Sequence, residues 1–176
     1  MENEESLEEN NQQMVEVFID NSGMTGVDAI SIVENPAIEE DFVFLSKQKQ
    51  VKLAEVDKEK RLLMGPALIP DKPILRMHEG AEYFIYFSKD TVRKASEEYF
   101  KNGNQSNATL EHEVGIEGLT VVESWIVEDA KMDKSAKYGM SVKEGTWMIS
   151  MKVDNDEIWE DYVKTGKVKG FSIEAY

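Results

Sequence analysis

The chain has 176 residues, contains no cysteine and carries a formal net charge of −15 at pH 7. The length suits one domain with one core, and the charge argues against nucleic acid or an anionic membrane as a partner, because both need clustered Lys and Arg. The absence of cysteine excludes thiol catalysis, disulfides and thiolate metal ligands. No apolar run is long enough to span a bilayer and the N-terminus is acidic, so we expect a soluble protein made in a cytoplasm.

The N-terminal part differs in composition from the rest of the chain. Residues 1–13 are mainly Glu, Asn and Gln, which predicts a disordered acidic tail. Residues 14–47 begin with a predicted strand over 14–20 and continue with short apolar runs, which predicts an extended leader arm that packs on another part of the chain. We expect residues 48–176 to form the main domain.

Two segments open the predicted main domain. Residues 51–70 predict a hairpin, which Gly65-Pro66 bends or ends because proline cannot donate to a central ladder. An aromatic strand follows over residues 82–87. A helix then begins at a cap supplied by Ser88 or Asp90 and ends at Gly103.

The second half of the domain alternates strands with one more helix. A loop is expected over 131–145, and the helix covers about residues 155–165, with a capping box of Asp154 and Glu157 at its start. The predicted strands are 110–114, 118–128, 146–153 and 168–175. About six or seven strands and two helices predict an α+β, mainly β fold, with a closed or partly open β-barrel and helices packed outside it.

Without cysteine, a nucleophilic serine needs a base, and histidine is the usual one near neutral pH. The chain has only two histidines, His78 and His112. Alternation in LEHEV predicts that His112 points with its apolar neighbours toward the core or a cleft floor, and RMHEG predicts a surface loop around His78. Ser172 lies in KGFSIEAY. Taken singly, each is more simply explained as a structural residue, and spacing alone does not pair them.

Other chemistries find less support in the residues. Two distant histidines without cysteine make no metal-ligand spacing, and neither a calcium loop nor a phosphate loop is present, so we expect no metal and no cofactor. The acidic residues total 35, too many for composition to select a catalytic pair, which leaves a glycosidase as a weakly supported hypothesis.

Several ordered segments resemble phage prohead (capsid maturation) serine proteases, which are similar in fold to herpesvirus assembly proteases. The resemblance covers roughly residues 27–176, from a leader-like VDAISIVENPAIEEDFVFLSK to the C-terminal segment. The matching segments are RLLMGPALIPDKPILR, LEHEV, GLTVVESWIVED, GTWMISMKV and WEDYVKTGKVKGFSIEA.

The resemblance implies a serine endopeptidase in which Ser172 is the nucleophile and His112 the general base and acid. The implied substrates and partners are the phage scaffolding protein and the removable segment of the major capsid protein, cut inside the prohead in the host cytoplasm. The protease is also expected to cut itself. A homodimer is left open, and neither nucleic acid nor a membrane is an expected partner.

The family pattern places the third triad member and the oxyanion hole after the serine, whereas only four residues follow Ser172. We therefore expect a truncated or processed form of weak or no activity, or an upstream residue that orients His112. The upstream candidates are Glu123, Asp129 and His78. A non-catalytic capsid- or scaffold-associated protein with the same fold is the alternative hypothesis.

Overall fold

The computed structural model describes residues 13–20, 25–38, 43–44 and 60–175. The strands of these regions are β1 Met14–Val17, β2 Val27–Val33, β3 Val43–Phe44, β4 Leu62–Leu68, β5 Ile74–His78, β6 Ala81–Phe87, β7 Ala108–Leu110, β8 Val114–Ile116, β9 Leu119–Ile126, β10 Trp147–Val153 and β11 Gly170–Ala175. The helical segments are α1 Lys89–Lys101, a 3-10 turn Asn104–Ser106, α2 Lys134–Lys137 and a π-helix Ile158–Val163.

The described strands form three sheets, with the orders β1-β6-β5, β3-β4-β10-β9 and β11-β2-β7-β8. The mainly β class with a few helices is confirmed. The ladders do not close into a barrel within the described residues, and these residues contain eleven strands rather than six or seven. One additional strand is β5, which ends at His78 in a segment where the sequence predicted a surface loop. None of the described helices is long and apolar enough to cross a membrane.

Strand β2 is the structural centre of the third sheet. It pairs antiparallel with β11 and parallel with β7, so that Ser31 lies opposite both Ser172 and Thr109. Its sequence VDAISIV is a nearly continuous β-branched and apolar run, which is typical of a strand buried on both faces, and Ile30 and Ile32 are completely buried. The predicted leader arm thus contributes an inner strand of the fold.

The predicted strand 110–114 is wrong. Leu110 ends β7 and Val114 begins β8, and a turn lies between them. The Glu113 N–H donates to the Leu110 carbonyl (3.0 Å), and Glu111 and His112 both have left-handed backbone angles, with φ of 52° and 59°. Each such angle costs a residue with a Cβ about 1–2 kcal/mol. Alternation of apolar residues did not reveal the turn, because a hairpin returns Leu110 and Val114 to facing positions.

Helix α1 begins and ends close to the predicted residues. The Ser88 hydroxyl caps it by accepting from the Thr91 N–H, and the left-handed Gly103 (φ 75°) follows its end. Its buried Tyr99 ring packs edge-on against Trp147 of β10, with ring centroids 5.5 Å apart. The helix therefore packs on β10 of the second sheet, and it also contacts β2 of the third.

The cap predicted for the second long helix is wrong. The Asn155 side chain, rather than the Asp154 and Glu157 box, accepts from the Ile158 N–H (3.0 Å). The same side chain donates to the Glu117 carbonyl (3.0 Å). Asn155 is preferred because its amide group both accepts and donates, whereas an ionised Asp only accepts. The helix widens into a π-helix over most of its length.

Part of the predicted N-terminal organisation lies outside the described residues, including the acidic tail before residue 13 and the turn of the hairpin over 51–70. The second hairpin strand is present as β4. It does not end at Gly65-Pro66 but continues to Leu68, and the register with β10 shifts beside Pro66. This bulge accommodates the residue that lacks an N–H. The division into tail, arm and main domain stays a prediction.

Ile32→Ala tests whether β2 is an integral strand. Because Ile32 is fully buried in the main core, we expect the free energy of unfolding to fall by about 2–5 kcal/mol. Val122→Ala on β9 is the matched control, since Val122 is 50% exposed and should change stability by less than about 1 kcal/mol. Urea denaturation measures both. Equal, small effects would contradict a structural role for β2.

Candidate active site

A cavity of about 440 Å³ lies between β11 and strands β4 to β6. Its polar lining consists of Arg76, His112, Ser172 and Glu174. Most of the remaining lining is apolar and includes Val17, Ala67, Leu68, Ile74, Ile85 and Phe87. A cleft in which apolar residues surround a few convergent polar groups is typical of a ligand or substrate site.

Ser172 lies on β11, at the end of the third sheet. Ser172 is 6% exposed and lines the cavity together with Ile173 and Glu174. Across the ladder its partner is Ser31, which is completely buried. Residues opposite each other in a ladder point to the same face, so β2 carries a second hydroxyl next to Ser172.

The His112 ring contacts a carboxylate that the sequence did not single out. Its Nδ1 lies 3.2 Å from Oε1 of Glu174, and the same oxygen accepts from the Thr109 hydroxyl. A proton on Nδ1 toward the carboxylate leaves Nε2 as the acceptor of the neutral imidazole. Such an imidazole is prepared to take a proton from a hydroxyl.

Small side chains on β2 allow the Glu174 side chain of β11 to reach His112 and Thr109 on the other side of β2. Strands β11 and β7 flank β2 and are therefore about 9–10 Å apart. Glu174 lies opposite Ala29 and Thr109 lies opposite Ser31. Because Ala29 and Ser31 are small, the Glu174 side chain crosses over β2 to meet Thr109 and His112.

Hydrogen bonds join the His112 turn to β2 and to the residues that directly follow β2. The His112 N–H donates to the Ser31 hydroxyl (3.0 Å), and the Glu111 N–H donates to the Ile32 carbonyl (3.1 Å). In return, the Glu34 N–H donates to the Glu111 carboxylate (2.7 Å). These bonds hold the turn in its left-handed conformation.

The three predicted partners of His112 have other neighbours. Glu123, on β9, accepts from the Lys134 ammonium (2.5 Å), and this contact holds the pKa of the Glu123 carboxyl below its ordinary value. Asp129 accepts from the backbone N–H groups of Lys131 and Met132 in a loop. The exposed His78 ends β5. In the part of the chain that the structure describes, no hydrogen bond joins any of them to His112.

Glu174 was overlooked although the sequence carries a signal for it. Ser172 and Glu174 are separated by one residue in FSIEA, and strand geometry places such residues on the same face. The predicted partners of His112 all lie upstream of Ser172, because the family pattern places the third triad member later than Tyr176. No group of three metal-ligating side chains suited to an ion occurs among the described residues.

Ser172, His112 and Glu174 line one cavity and are the residue types of a Ser-His-acid hydrolase. Among the described residues, Glu174 is hydrogen-bonded to His112, and no hydrogen bond joins Ser172 to His112. Residues 50–176 match the model of a family described as "Putative phage serine protease XkdF". Because the match covers most of the chain, the protein belongs to this family, whose name supports a phage serine protease. No curated protein and no solved structure matches the chain significantly. The likeness to herpesvirus assembly proteases stays a prediction.

Glu123→Gln tests whether Glu123 has only a structural role. Because the folded-state pKa of Glu123 is lowered by Lys134, the pair stabilises the fold above the unfolded pKa, and this contribution disappears as pH falls through the folded pKa. The exposed pair should contribute less than about 1 kcal/mol. We expect Glu123→Gln to be slightly less stable than wild type in urea at neutral pH and equally stable in strong acid. A loss of peptide cleavage with the fold intact would contradict this.

Proposed function

We propose that this protein is a serine endopeptidase in which Ser172 is the nucleophile, His112 the general base and acid, and Glu174 the residue that orients the imidazole. The observation that carries the proposal is the contact between His112 Nδ1 and Glu174 Oε1 (3.2 Å) at the cavity that Ser172 lines. Glu174 takes the role for which Glu123, Asp129 and His78 were the predicted candidates.

The proposed reaction follows from the properties of these groups. The Ser172 Oγ attacks the carbonyl carbon of the scissile peptide bond, and its proton moves to Nε2 of His112. The imidazolium then donates that proton to the leaving amine, and the carbon–nitrogen bond breaks to leave an acyl-enzyme. Water, deprotonated by His112, hydrolyses the ester. Glu174 remains ionised and stabilises the imidazolium.

The cleft also supplies an environment suited to a peptide. Its apolar lining residues favour apolar substrate side chains, because each Å² of apolar surface that is removed from water stabilises the bound state by about 25 cal/mol. Arg76 is the only Arg or Lys among the described residues that line it. A guanidinium at this position would offset the negative charge that develops on the attacked carbonyl oxygen.

The proposed biological substrates rest on the resemblance to prohead proteases. We infer that the enzyme cleaves the scaffolding protein and a segment of the major capsid protein inside the prohead in the host cytoplasm, and that it cleaves itself. Membership of a phage protease family supports this role. A homodimer as the active form belongs to the same proposal. The net charge of −15 disfavours binding to nucleic acid or to an anionic membrane.

Ser172→Ala tests the nucleophile. The purified chain is incubated with the scaffolding and capsid proteins of the same phage, and mass spectrometry identifies the cleaved bonds. We expect cleavage by wild type, none by Ser172→Ala, and labelling of Ser172 by a fluorophosphonate. Ser96→Ala is the control, because Ser96 is also buried but bonds only within α1. A folded wild-type protein that neither cleaves nor labels would favour the non-catalytic capsid-associated protein.

Glu174→Gln tests the orienting carboxylate. The amide keeps the size of the side chain but removes the charge that stabilises the imidazolium, so we expect kcat to fall by about a hundredfold or more. Glu123→Gln, the same exchange on β9, serves as the control and should leave kcat unchanged. Cleavage kinetics on one peptide substrate compare the two variants. Equal kcat values for both would remove Glu174 from the mechanism.

A further inference from the structure

The strand on which the candidate site is built precedes the region that the family model covers. The matched region begins at residue 50, whereas β2 ends at Val33 and lies between β11, which carries Ser172, and β7, which leads into the His112 turn. We propose that Ser31 of β2 is a positioning residue for His112. The N-terminal segment therefore contributes to the active site. Its effect on catalysis rests on the proposed function.

The turn that carries His112 needs support from outside itself. Glu111 and His112 both have positive φ angles, a conformation that is unfavourable for residues with a Cβ and persists only where surrounding contacts enforce it. The His112 side chain is 42% exposed, so packing covers only part of the ring, and hydrogen bonds to the turn contribute to its position.

Ser31 supplies a buried hydrogen-bond acceptor that supports the His112 turn. The residue is completely buried, and its hydroxyl accepts from the His112 N–H (3.0 Å) while donating to the Thr109 carbonyl (3.3 Å). The single hydroxyl thus fixes the turn relative to β7 and β2 at once. Ser31 is also the ladder partner of Ser172, so the group that anchors the histidine belongs to the strand that fixes the serine.

A second contact supports the turn from its exposed side. The Glu34 N–H, just after β2, donates to the Glu111 carboxylate (2.7 Å). These two anchors, and the Ile32 carbonyl that accepts from the Glu111 N–H, all come from residues 31–34. Removing an anchor should let the imidazole move relative to Ser172 without changing the lining of the cleft. Since displacement by about 1 Å costs roughly a hundredfold in rate, the loss should appear in kcat rather than in KM.

Ser31→Ala and Ser31→Thr separate the hydroxyl from the packing. We expect Ser31→Ala to lower kcat by about tenfold or more with KM unchanged within about twofold, and Ser31→Thr, which keeps the hydroxyl, to recover most of kcat. Ser96→Ala is the control for loss of a buried serine hydroxyl away from the cleft. Each variant is assayed as the full chain well below its own unfolding midpoint.

Two kinetic outcomes would overturn the proposal. One is a folded Ser31→Ala protein whose kcat equals that of wild type, and the other is equal impairment of Ser31→Ala and Ser31→Thr, which would point to packing. If Ser31→Ala does not fold, the exposed variant Glu111→Ala decides. It removes the Glu34 contact from the same turn, so a lower kcat supports anchoring by the N-terminal segment and an unchanged kcat refutes it.

Hydrogen exchange distinguishes failure of this proposal from failure of the proposed function. The His112 backbone N–H should exchange slowly in wild type and in Ser96→Ala, and about tenfold or more faster in Ser31→Ala, because its buried acceptor is gone. This measurement needs no turnover. If wild type cleaves nothing but the exchange difference appears, the anchoring stands and the endopeptidase proposal falls. Unchanged exchange in a folded Ser31→Ala refutes the anchoring.

Discussion

The hydrogen bond from the His112 N–H to the buried Ser31 hydroxyl joins the parts of the candidate site. Ser31 lies in a ladder row between Ser172 on β11 and Thr109 on β7. The row sets the spacing between the nucleophile strand and the histidine turn, because ladder geometry fixes neighbouring strands about 4.8 Å apart. The two contacts that His112 makes, to the Ser31 hydroxyl and to the Glu174 carboxylate, come from this row and from the residue pair next to it, Ala29 and Glu174.

The balance of charged groups in the cleft differs from that of the whole chain. The chain is strongly acidic, yet the titratable groups that line the cavity are one guanidinium, one imidazole and one carboxylate. The Glu174 and His112 side chains are 31% and 42% exposed, so water weakens their interaction in the free protein. A peptide lying over them would exclude this water and strengthen the contact. Substrate binding and the orientation of the base are therefore coupled in the proposed mechanism.

Much of the fold followed from local patterns. The aromatic run at residues 82–87 and the cap at Ser88 predicted β6 and the start of α1 correctly, because strand alternation and helix capping are decided by residues close together in sequence. The failures occurred where distant residues decide. The turn at His112 depends on a hydroxyl that lies 81 residues away, and Asn155 replaces the predicted cap because the Glu117 carbonyl is within its reach.

The sequence alone determined the mainly β class, the strand that carries Ser172 and the short set of residues able to act as a base, because composition and alternation are local properties. It left the third member of the site among Glu123, Asp129 and His78. Only the tertiary structure selected Glu174 as the neighbour of His112 and placed β2 between β11, which carries Glu174, and β7, which leads into the His112 turn. Strand pairing and register over long separations depend on the packing of the whole chain, and no local pattern encodes which carboxylate crosses which strand.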